Sequence, residues 1–483
     1  MPSTGPLHLP SPRGGGVGNP AGSFPSVDRN RGAPIVRITI LAMGSRGDVQ
    51  PAAVLGAELV HRGHDVVLAT TDDLAHFGEA VGLPVVPFGF DMRAFLRSDQ
   101  GQEFLRNSDV HEYLAGFVAM KTTHARVMHP AMVRACADAD VIVSNTLLLD
   151  EASCLAEAGG AAVVALHHAP RRSNSRFPSF MLTRRRVPRP LNRATHALYA
   201  RWEWKATASC TNAFRRSLGL PPTSVPLARR LAAVGALELQ AYGAALVPEL
   251  VSWSPRFPLT GPVVPTPEQR ERWGEATWDA DLEAWLGAGD PPVFFGFGSM
   301  PVADPAALFT LVQGVCRELG VRGLVGAGWT DLAAADATDR VRVVGPVDHT
   351  LLLPRCAAAV HHGGAGTTAA SVGAGLPTVV CAVAFDQPFW GRRVQDLGIG
   401  TWFPFRELTA AKLIEALRRV LTGQTAERAR TVGAALREED GTQAAATEIE
   451  LVPSPRRSSG SAARSPVQAG RRVPAPSASH EEP

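Results

Sequence analysis

The chain has 483 residues, which is too many for one ordinary hydrophobic core and about right for two or three domains. Hydrophobic residues make up 45% of the sequence and charged residues 19%, so the chain can bury a sizeable core. The net charge is only +3, and this argues against a nucleic-acid-binding protein, because such a protein usually carries a clustered basic face.

The cysteines and the apolar runs indicate the compartment. The six cysteines lie far apart, with no Cys-x-x-Cys pair and no metal-site spacing, which is the pattern of buried, reduced thiols. No apolar run approaches the roughly 18 residues that a membrane span requires. Residues 1–33 are rich in Gly, Pro and Ser and lack the apolar core of a secretory signal. We therefore expect a cytoplasmic protein in which residues 1–33 are a disordered extension or result from a start codon assigned too early.

Residues 34–253 alternate apolar runs with helix-length segments. The run IVRITILAM, which starts at Ile35, is rich in β-branched residues and predicts a strand buried on both faces. A Gly-rich turn follows, and we expect Pro51 to open a helix, because proline at the first turn loses no hydrogen bond. Further strands are predicted at residues 66–69, 85–88, 141–144 and 163–166. This alternation predicts a doubly wound α/β domain.

A second α/β domain is predicted over residues 292–452. The proline-rich residues 254–291 are expected to form the interdomain linker. Strands are then predicted from Val293 and at residues 323–326, 341–344, 357–360 and 378–380, and Thr409 is expected to cap a later helix. Residues 428–449 predict a last helical region, and the Pro- and Ser-rich residues 453–483 a disordered tail. The outline is two facing Rossmann-like domains with parallel sheets and a cleft between them.

The most informative segment is VHHGGAGTTAASVGAGLPTVV, at residues 360–380. A predicted strand ends at its two histidines, a turn of small residues follows, and a helix is expected to begin near Thr367. Glycines let the backbone approach an anion, the N–H groups at a helix start favour negative charge, and histidine and threonine add donors. The alternative is that the glycines only permit tight strand–helix packing, since such turns are loose motifs. The candidate phosphate ligands are His362, Gly363, Gly364, Gly366, Thr367 and Thr368.

Two further segments contain candidate catalytic and binding residues. In AFDQPFWGRRV, Asp386 and Gln387 follow a predicted strand, at the edge where open α/β sheets bind ligands. A carboxylate beside an amide suits neighbouring sugar hydroxyls, although such a pair can also be a turn or a helix cap. In MGSRGDVQP, Asp48 is either a helix cap or a general base that accepts the proton of an attacking alcohol.

Together, GSRGDVQP, FGFGSM, HHGGAGTTAA and FDQPFWG resemble the family-1 glycosyltransferases of the GT-B fold. Within that family, the chain is most similar to the branch of sterol glucosyltransferases and of vancomycin- and macrolide-type antibiotic glycosyltransferases. The resemblance covers roughly residues 35–449. It implies an N-terminal acceptor domain, a C-terminal nucleotide-sugar domain, and an inverting single displacement without a metal or a further cofactor.

The resemblance also implies residue roles. Asp48 matches the proposed base, Asp386 and Gln387 match the pair that contacts the sugar, and Ser299 matches a further donor to the phosphates. His362, Gly366, Thr367 and Thr368 match positions that hold the diphosphate.

The sequence departs from the pattern at two places. Residues 348–352 lack the Asp-Trp pair that related sequences often carry after the histidine, so Trp329 is a candidate surface for the base, with a core role as the alternative. The ribose-binding Glu of the plant enzymes falls at Ala370, which leaves UDP and dTDP both open.

The resulting hypothesis is transfer of a hexose from UDP or dTDP to a hydroxyl of an apolar aglycone, such as a polyketide or macrolide. Three alternatives stay open: sterol or lipid glucosylation, a non-catalytic glycosyltransferase-like helper, and a nucleotide-sugar epimerase. Residues 171–204 mix Arg, Pro, Phe and Trp, and they suit a wall over the acceptor, a transient membrane contact or a plain surface loop. No nucleic-acid partner and no stable membrane insertion are expected.

Overall fold

The structure is a computed structural model, and it describes residues 35–106, 110–275, 278, 280–297, 304–327, 338 and 340–453. Within these residues, the chain forms two parallel sheets of six strands each, flanked by helices. This arrangement confirms the predicted α/β class with two Rossmann-like sheets.

The first sheet has the order β3-β2-β1-β4-β5-β6. Its strands are β1 (Arg37–Leu41), β2 (Asp65–Thr70), β3 (Val85–Pro87), β4 (Val141–Asn145), β5 (Ala162–His167) and β6 (Leu237–Gln240). In β1, Ile38 and Ile40 pack into the core on one face of the sheet and Leu41 into the core on the other. This is why the run reads as continuously apolar. The strand order reverses between β1 and β4, which is where such sheets bind ligands.

The second sheet has the order β12-β11-β10-β7-β8-β9. Its strands are β7 (Val293–Gly296), β8 (Gly323–Gly326), β9 (Val341–Val344), β10 (Ala358–His361), β11 (Thr378–Ala382) and β12 (Gly400–Pro404). Here the order reverses between β10 and β7, so each sheet has one switch point.

The helices cover both faces of the sheets. They are α1 (Arg46–His61), α2 (His76–Ala80), α3 (Met92–Arg97), α4 (Asp99–Arg106), α5 (Val110–Cys136), α6 (Leu149–Gly159), α7 (Arg189–Ser217), α8 (Leu227–Ala233), α9 (Pro267–Arg272), α10 (Ala280–Gly287), α11 (Pro305–Leu319), α12 (His349–Leu352), α13 (Ala365–Gly373), α14 (Gln387–Asp396), α15 (Ala410–Val420), α16 (Gly423–Arg437) and α17 (Gly441–Glu450). No helix in these parts of the chain is both long enough and apolar enough to cross a bilayer.

The ten strands predicted from the sequence are present, but β6 and β12 were missed. Strand β6 has the sequence LELQ, in which Glu238 and Gln240 are buried. Both side chains hydrogen-bond inside the protein, so this buried strand has a polar sequence and was not predicted. The prediction that α1 opens at Pro51 was wrong. The helix begins at Arg46, because Ser45 caps it one turn earlier.

Two connections join the lobes. The predicted linker, residues 254–291, contains α9 and α10, and Trp285 of α10 packs in a core of the second lobe. The last helix, α17, follows the second sheet in sequence, yet its Ala446 and Ile449 pack in the core beneath α1 in the first lobe. The C-terminal helix therefore completes the N-terminal lobe.

Candidate active site

The first candidate, Asp48, lies in the turn that follows β1. Gly44 has φ +132°, and a Cβ built there would lie 2.4 Å from Asp48 Oδ2, so glycine makes room for the carboxylate. The backbone N–H and the hydroxyl of Ser45 both donate to Asp48 Oδ2, at 2.8 and 3.1 Å. Asp48 is therefore the third residue of a capping box on α1. The helix-cap role is present in the structure, and it leaves Asp48 Oδ1 available for another role.

The environment of Asp48 suits a base. The carboxylate is partly buried, and burial raises its pKa to about 6, against the opposing effect of the hydrogen bonds from Ser45. A carboxylate with a pKa close to neutrality accepts a proton more readily than an ordinary aspartate.

The second candidate, Asp386, follows β11 in the other lobe. Its Oδ2 accepts a hydrogen bond from Trp390 Nε1 at 2.9 Å. Burial raises the pKa of Asp386 to about 7, the Trp390 hydrogen bond lowers it, and the charge of Asp48 raises it again. The two carboxylates, one from each lobe, thus lie within electrostatic reach of each other. The ring of Tyr113 on α5 also lies edge-on to that of Phe385, the residue before Asp386, with 5.4 Å between the ring centres.

Gln387 has a different position from the one its predicted role suggests. The side chain is buried, and its Oε1 accepts hydrogen bonds from the backbone N–H groups of Val383 and Ala384, at 2.8 and 3.1 Å. The amide oxygen therefore closes the turn between β11 and α14. Phe385 inside this turn has φ +57°, and it is the only described residue other than glycine with a positive φ. Such a conformation stores strain in a bulky residue and is typical of functional turns.

The two histidines that end β10 differ from each other. His361 is fully buried, with Nε2 3.0 Å from Ser371 Oγ and Nδ1 accepting from the Gly363 N–H at 3.0 Å, so it anchors the turn. His362 is only partly buried, and its Nδ1 has no hydrogen-bond partner within the described residues. Burial lowers the pKa of His362 to about 4, although its interaction with the Gly296 backbone opposes this. Its imidazole is therefore neutral at pH 7.

The small residues shape this turn. A Cβ on Gly364 would lie 2.6 Å from His362 Nε2, so glycine there lets the imidazole fold over the turn. Gly363 has φ +90°, and a Cβ on it would lie 3.2 Å from the Gln387 carbonyl oxygen, so the two turns of this lobe touch. Gly366 is exposed and borders open space. Glycine is thus required where the turns pack together.

Helix α13 begins without a side-chain cap. Gly364 occupies the cap position, and no side chain in the described part of the chain hydrogen-bonds to the first N–H groups there. Thr367 is partly exposed in the first turn, whereas Thr368 is fully buried, and its hydroxyl has no partner among the residues that the structure describes. Uncapped N–H groups beside unpaired imidazole and hydroxyl groups are suited to an anion.

Two candidates, Ser299 and Trp329, lie outside the described residues, so their roles stay predictions. In the part of the chain that is described, no three His, Cys, Asp or Glu side chains are grouped as a metal site.

Sequence reasoning missed a polar group in the first lobe. Arg171 Nη2 contacts Glu203 Oε1 at 2.7 Å and Tyr199 Oη at 3.1 Å. Burial raises the pKa values of Tyr113 and Asp386, and the charge of Arg171 opposes both rises. Arg171, Tyr199 and Glu203 border a cavity of about 160 Å³ between α7 and the segment after β5. Helix α7 was not predicted within residues 171–204, where a surface loop was one of the interpretations. The 29 residues of α7 show only a weak apolar stripe.

The sequence relatives decide the family. The chain is 36% identical over 409 residues to an uncharacterized glycosyltransferase of Mycobacterium tuberculosis, a match that covers 82% of this chain and 94% of that protein. The chain belongs to the GT-B glycosyltransferases. Residues 38–174 of this glycosyltransferase match the family described as glycosyltransferase family 28 N-terminal domain, and residues 330–452 match the family described as erythromycin biosynthesis protein CIII-like, C-terminal domain.

Further comparisons confirm the predicted fold and include a sterol glucosyltransferase. A sterol 3-beta-glucosyltransferase of Arabidopsis thaliana is 28% identical over 425 residues, covering 84% of this chain and 64% of that protein. The glycotransferase of kitacinnamycin has the same fold, with a TM-score of 0.63 at 21% identity, covering 86% of this chain and 98% of that one. Glycosyltransferase VinC, solved in complex with dTDP, superposes with a TM-score of 0.54 at 20% identity, covering 87% and 100%.

Proposed function

We propose that the protein transfers a hexose from UDP or dTDP to a hydroxyl of an apolar aglycone, with inversion and without a metal. The observation that carries this proposal is the placement of Asp48 and of the uncapped start of α13 beside the switch points of the two sheets. Asp386 connects the two, because it lies within electrostatic reach of Asp48 and follows the strand next to β10.

Asp48 would act as the base. An alcohol is a weak nucleophile until its proton is accepted, and the raised pKa of Asp48 matches that task at neutral pH. The acceptor oxygen attacks the anomeric carbon, its proton passes to the carboxylate, and the nucleoside diphosphate leaves from the opposite face. A single in-line displacement of this kind inverts the anomeric centre.

The departing diphosphate would bind at the start of α13. Its oxygens can accept hydrogen bonds from the uncapped N–H groups of Gly366 and Thr367 and from the side chains of His362 and Thr368. Since burial leaves His362 neutral, the positive end of the helix supplies most of the charge compensation, and His362 serves as a hydrogen-bond donor. A bound dianion would raise the pKa of His362 and strengthen that donor.

Asp386 would hold the sugar. Its carboxylate accepts from hydroxyl groups, and the Trp390 indole keeps it oriented. The oxygen of Gln387 is engaged by the backbone N–H groups of Val383 and Ala384, so a contact of this residue with the sugar stays a prediction. Two solved glycosyltransferases of the same fold are complexes with thymidine diphosphate, which supports a dTDP-linked donor, and a UDP-linked donor is the other candidate.

An apolar aglycone is supported by the aromatic rings beside Asp48. Tyr113 stacks on Phe117 at 6.2 Å and meets Phe385, the residue before Asp386, edge-on at 5.4 Å, and the charge of Asp48 acts on the pKa of Tyr113, which burial raises. The cavity beside Arg171 is lined by Arg171, Tyr199 and Glu203 among other residues, and these polar groups can hydrogen-bond to a polyketide or macrolide.

Glucosylation of a sterol or other lipid is the second candidate. It is supported by the sterol glucosyltransferase relative and by residues 171–205, which contain ten cationic residues and a single acidic one, Glu203. Leu191 and Leu198 of α7 are exposed beside these cations, which suits a transient contact with an anionic membrane.

A product assay tests both candidates. The protein is incubated with UDP-glucose or dTDP-glucose and with macrolide, polyketide and sterol acceptors, the sterols in neutral or anionic vesicles. Mass spectrometry detects a hexose adduct, and NMR of the anomeric centre reports inversion. An adduct on sterol only, and faster in anionic vesicles, favours the second candidate. Nucleotide binding without transfer to any acceptor, and without donor hydrolysis, favours a helper protein over both.

A further inference from the structure

A chain of charged side chains, partly exposed at Arg46 and buried beyond it, joins the turn that contains Asp48 to the second lobe. Arg46 Nη2 contacts Glu275 Oε1 at 2.8 Å, and the Glu275 side chain is only 3% exposed. Arg270 then contacts Glu275 Oε2 at 3.6 Å and Asp348 Oδ1 at 3.1 Å. The backbone adds a further link, because the N–H of Asp348 donates to the Glu275 carbonyl at 2.7 Å. Two cations and two carboxylates thus form one continuous network.

Both ends of this network lie next to candidate site residues. Arg46 stands between Ser45 and Asp48 in the first turn of α1, so it moves with the capping box. Asp348 caps α12 and precedes His349, whose pKa is lowered to about 4 by burial, with smaller effects from Arg46 and from His362. The network therefore runs from the turn of the proposed base to the start of α12 in the second lobe, where His349 lies within electrostatic range of His362.

The Arg46 side chain has a defined orientation. Besides Glu275, it donates from Nε to Gln50 Oε1 at 3.3 Å, and its guanidinium lies 5.6 Å from the centre of the Phe77 ring. Burial raises the pKa of Glu275, and the charges of Arg46 and Arg270 oppose that rise. Removing Arg46 would leave a buried carboxylate short of compensation, and the surrounding structure would have to rearrange to solvate it.

We propose that Arg46 and Glu275 are positioning residues for sugar transfer. By clamping the first turn of α1 to the segment between the lobes, they hold Asp48 at its working distance from the second lobe. Neither side chain contacts the reacting atoms, and both act through Asp48. This inference rests on the proposed base role of Asp48. Misplacing a catalytic group by about 1 Å can cost roughly 100-fold in rate, so a clamp of this kind has a measurable effect.

The test compares Arg46→Met, Glu275→Gln and the double variant with Arg46→Lys in steady-state transfer assays. The matched control is Arg62→Met. Arg62 lies directly after α1, at the opposite end, its side chain is 8% exposed, and it contacts Glu58 at 2.6 Å and Glu450 at 2.8 Å. Arg62 therefore forms ion pairs with carboxylates as Arg46 does, but it lies at the end of α1 that is remote from Asp48. Thermal unfolding of each variant shows which fraction is folded under the assay conditions.

We expect Arg46→Met and Glu275→Gln each to lower kcat about 10- to 100-fold, with the donor KM changed by less than about threefold. The double variant should be no slower than the slower single variant, because the two residues act as one unit. Arg46→Lys should recover part of kcat. Arg62→Met should lower thermal stability and leave kcat unchanged.

The proposal is overturned if kcat of folded Arg46→Met equals that of Arg62→Met, or if the two single effects multiply in the double variant. Asp48→Asn, assayed in the same series, separates this failure from that of the proposed function. If Asp48→Asn is inactive while Arg46→Met is unaffected, only the clamp is wrong. If Asp48→Asn is as active as the wild type, the base assignment itself fails.

Discussion

The first turns of α1 and α13 occupy corresponding places and have opposite chemistry. Each follows a strand beside the switch point of its sheet, β1 in the first lobe and β10 in the second. In α1, the N-terminal end is closed by Ser45 and by Asp48, whose carboxylate accepts from the Ser45 backbone and hydroxyl. In α13, the cap position is a glycine, and no side chain among the described residues closes the helix start.

This difference indicates how one architecture supports two tasks. A helix start that contains its own carboxylate already has a negative group at its positive end, and it can offer that carboxylate as a base. A helix start left uncapped presents its N–H groups to an outside anion. One turn would therefore take up a proton while the other stabilises a leaving diphosphate.

The largest effect is expected for Asp48→Asn. The amide oxygen can still accept from Ser45, so the capping box and the fold should persist, whereas the base is lost. We expect kcat to fall about 1,000-fold, within the range typical of a general base. Asp91→Asn is the matched control, because Asp91 also caps a helix, α3, and accepts from the Ala94 N–H at 2.7 Å. Equal activity of Asp48→Asn and Asp91→Asn would show that Asp48 is only a cap.

His362→Ala tests the other turn. Losing one donor to a developing anion should lower kcat roughly 100-fold, and His362→Gln should recover part of this loss, because an amide N–H₂ still donates. His64→Gln is the control, since His64 pairs with Glu450 near the far end of α1. If His362→Ala retains full activity while the protein stays folded, the α13 turn does not stabilise the leaving group through this side chain.

The pH dependence of the reaction should identify the base. Asp48 accepts a proton only when ionised, so activity should be present above its pKa of about 6 and lost below it. At pH 5, about one tenth of the carboxylate is ionised, so kcat/KM should be about tenfold lower than at pH 8. Asp386, whose pKa is about 7, titrates nearby. If kcat/KM of the Asp386→Asn variant still falls near pH 6, the titrating group is Asp48. If this fall disappears in the variant, the titrating group is Asp386.

The smallest effect is expected from metal removal. If the helix start of α13 and His362 stabilise the diphosphate, dialysis against EDTA should leave kcat within about twofold of its original value. Stimulation by Mg²⁺ or Mn²⁺ after EDTA treatment would contradict this part of the proposal, and it would assign the charge compensation to a cation.

The pattern of neighbouring residues in the sequence was enough to locate ten strands and the turns that precede α1 and α13. Buried parallel strands are short, continuous apolar runs, and the glycines, histidines and carboxylates of the turns stand at recognisable places after them. Strand β6 escaped because Glu238 and Gln240 satisfy their polar groups inside the protein. Likewise, α1 was predicted to begin too late, because Pro51 outweighed the cap signal of Ser45.

The sequence by itself determined the fold class, the GT-B resemblance and the candidate residues, because each depends on neighbours in the chain. Only the tertiary structure decided that Asp48 lies within reach of Asp386, that the oxygen of Gln387 closes its own turn, and that α17 packs in the first lobe. It also revealed the pairing of Arg46 with Glu275. These contacts join segments that are distant in the sequence, and they depend on burial and charge. The periodicity of the sequence reports local structure only, so it does not predict which distant residue a buried group will contact.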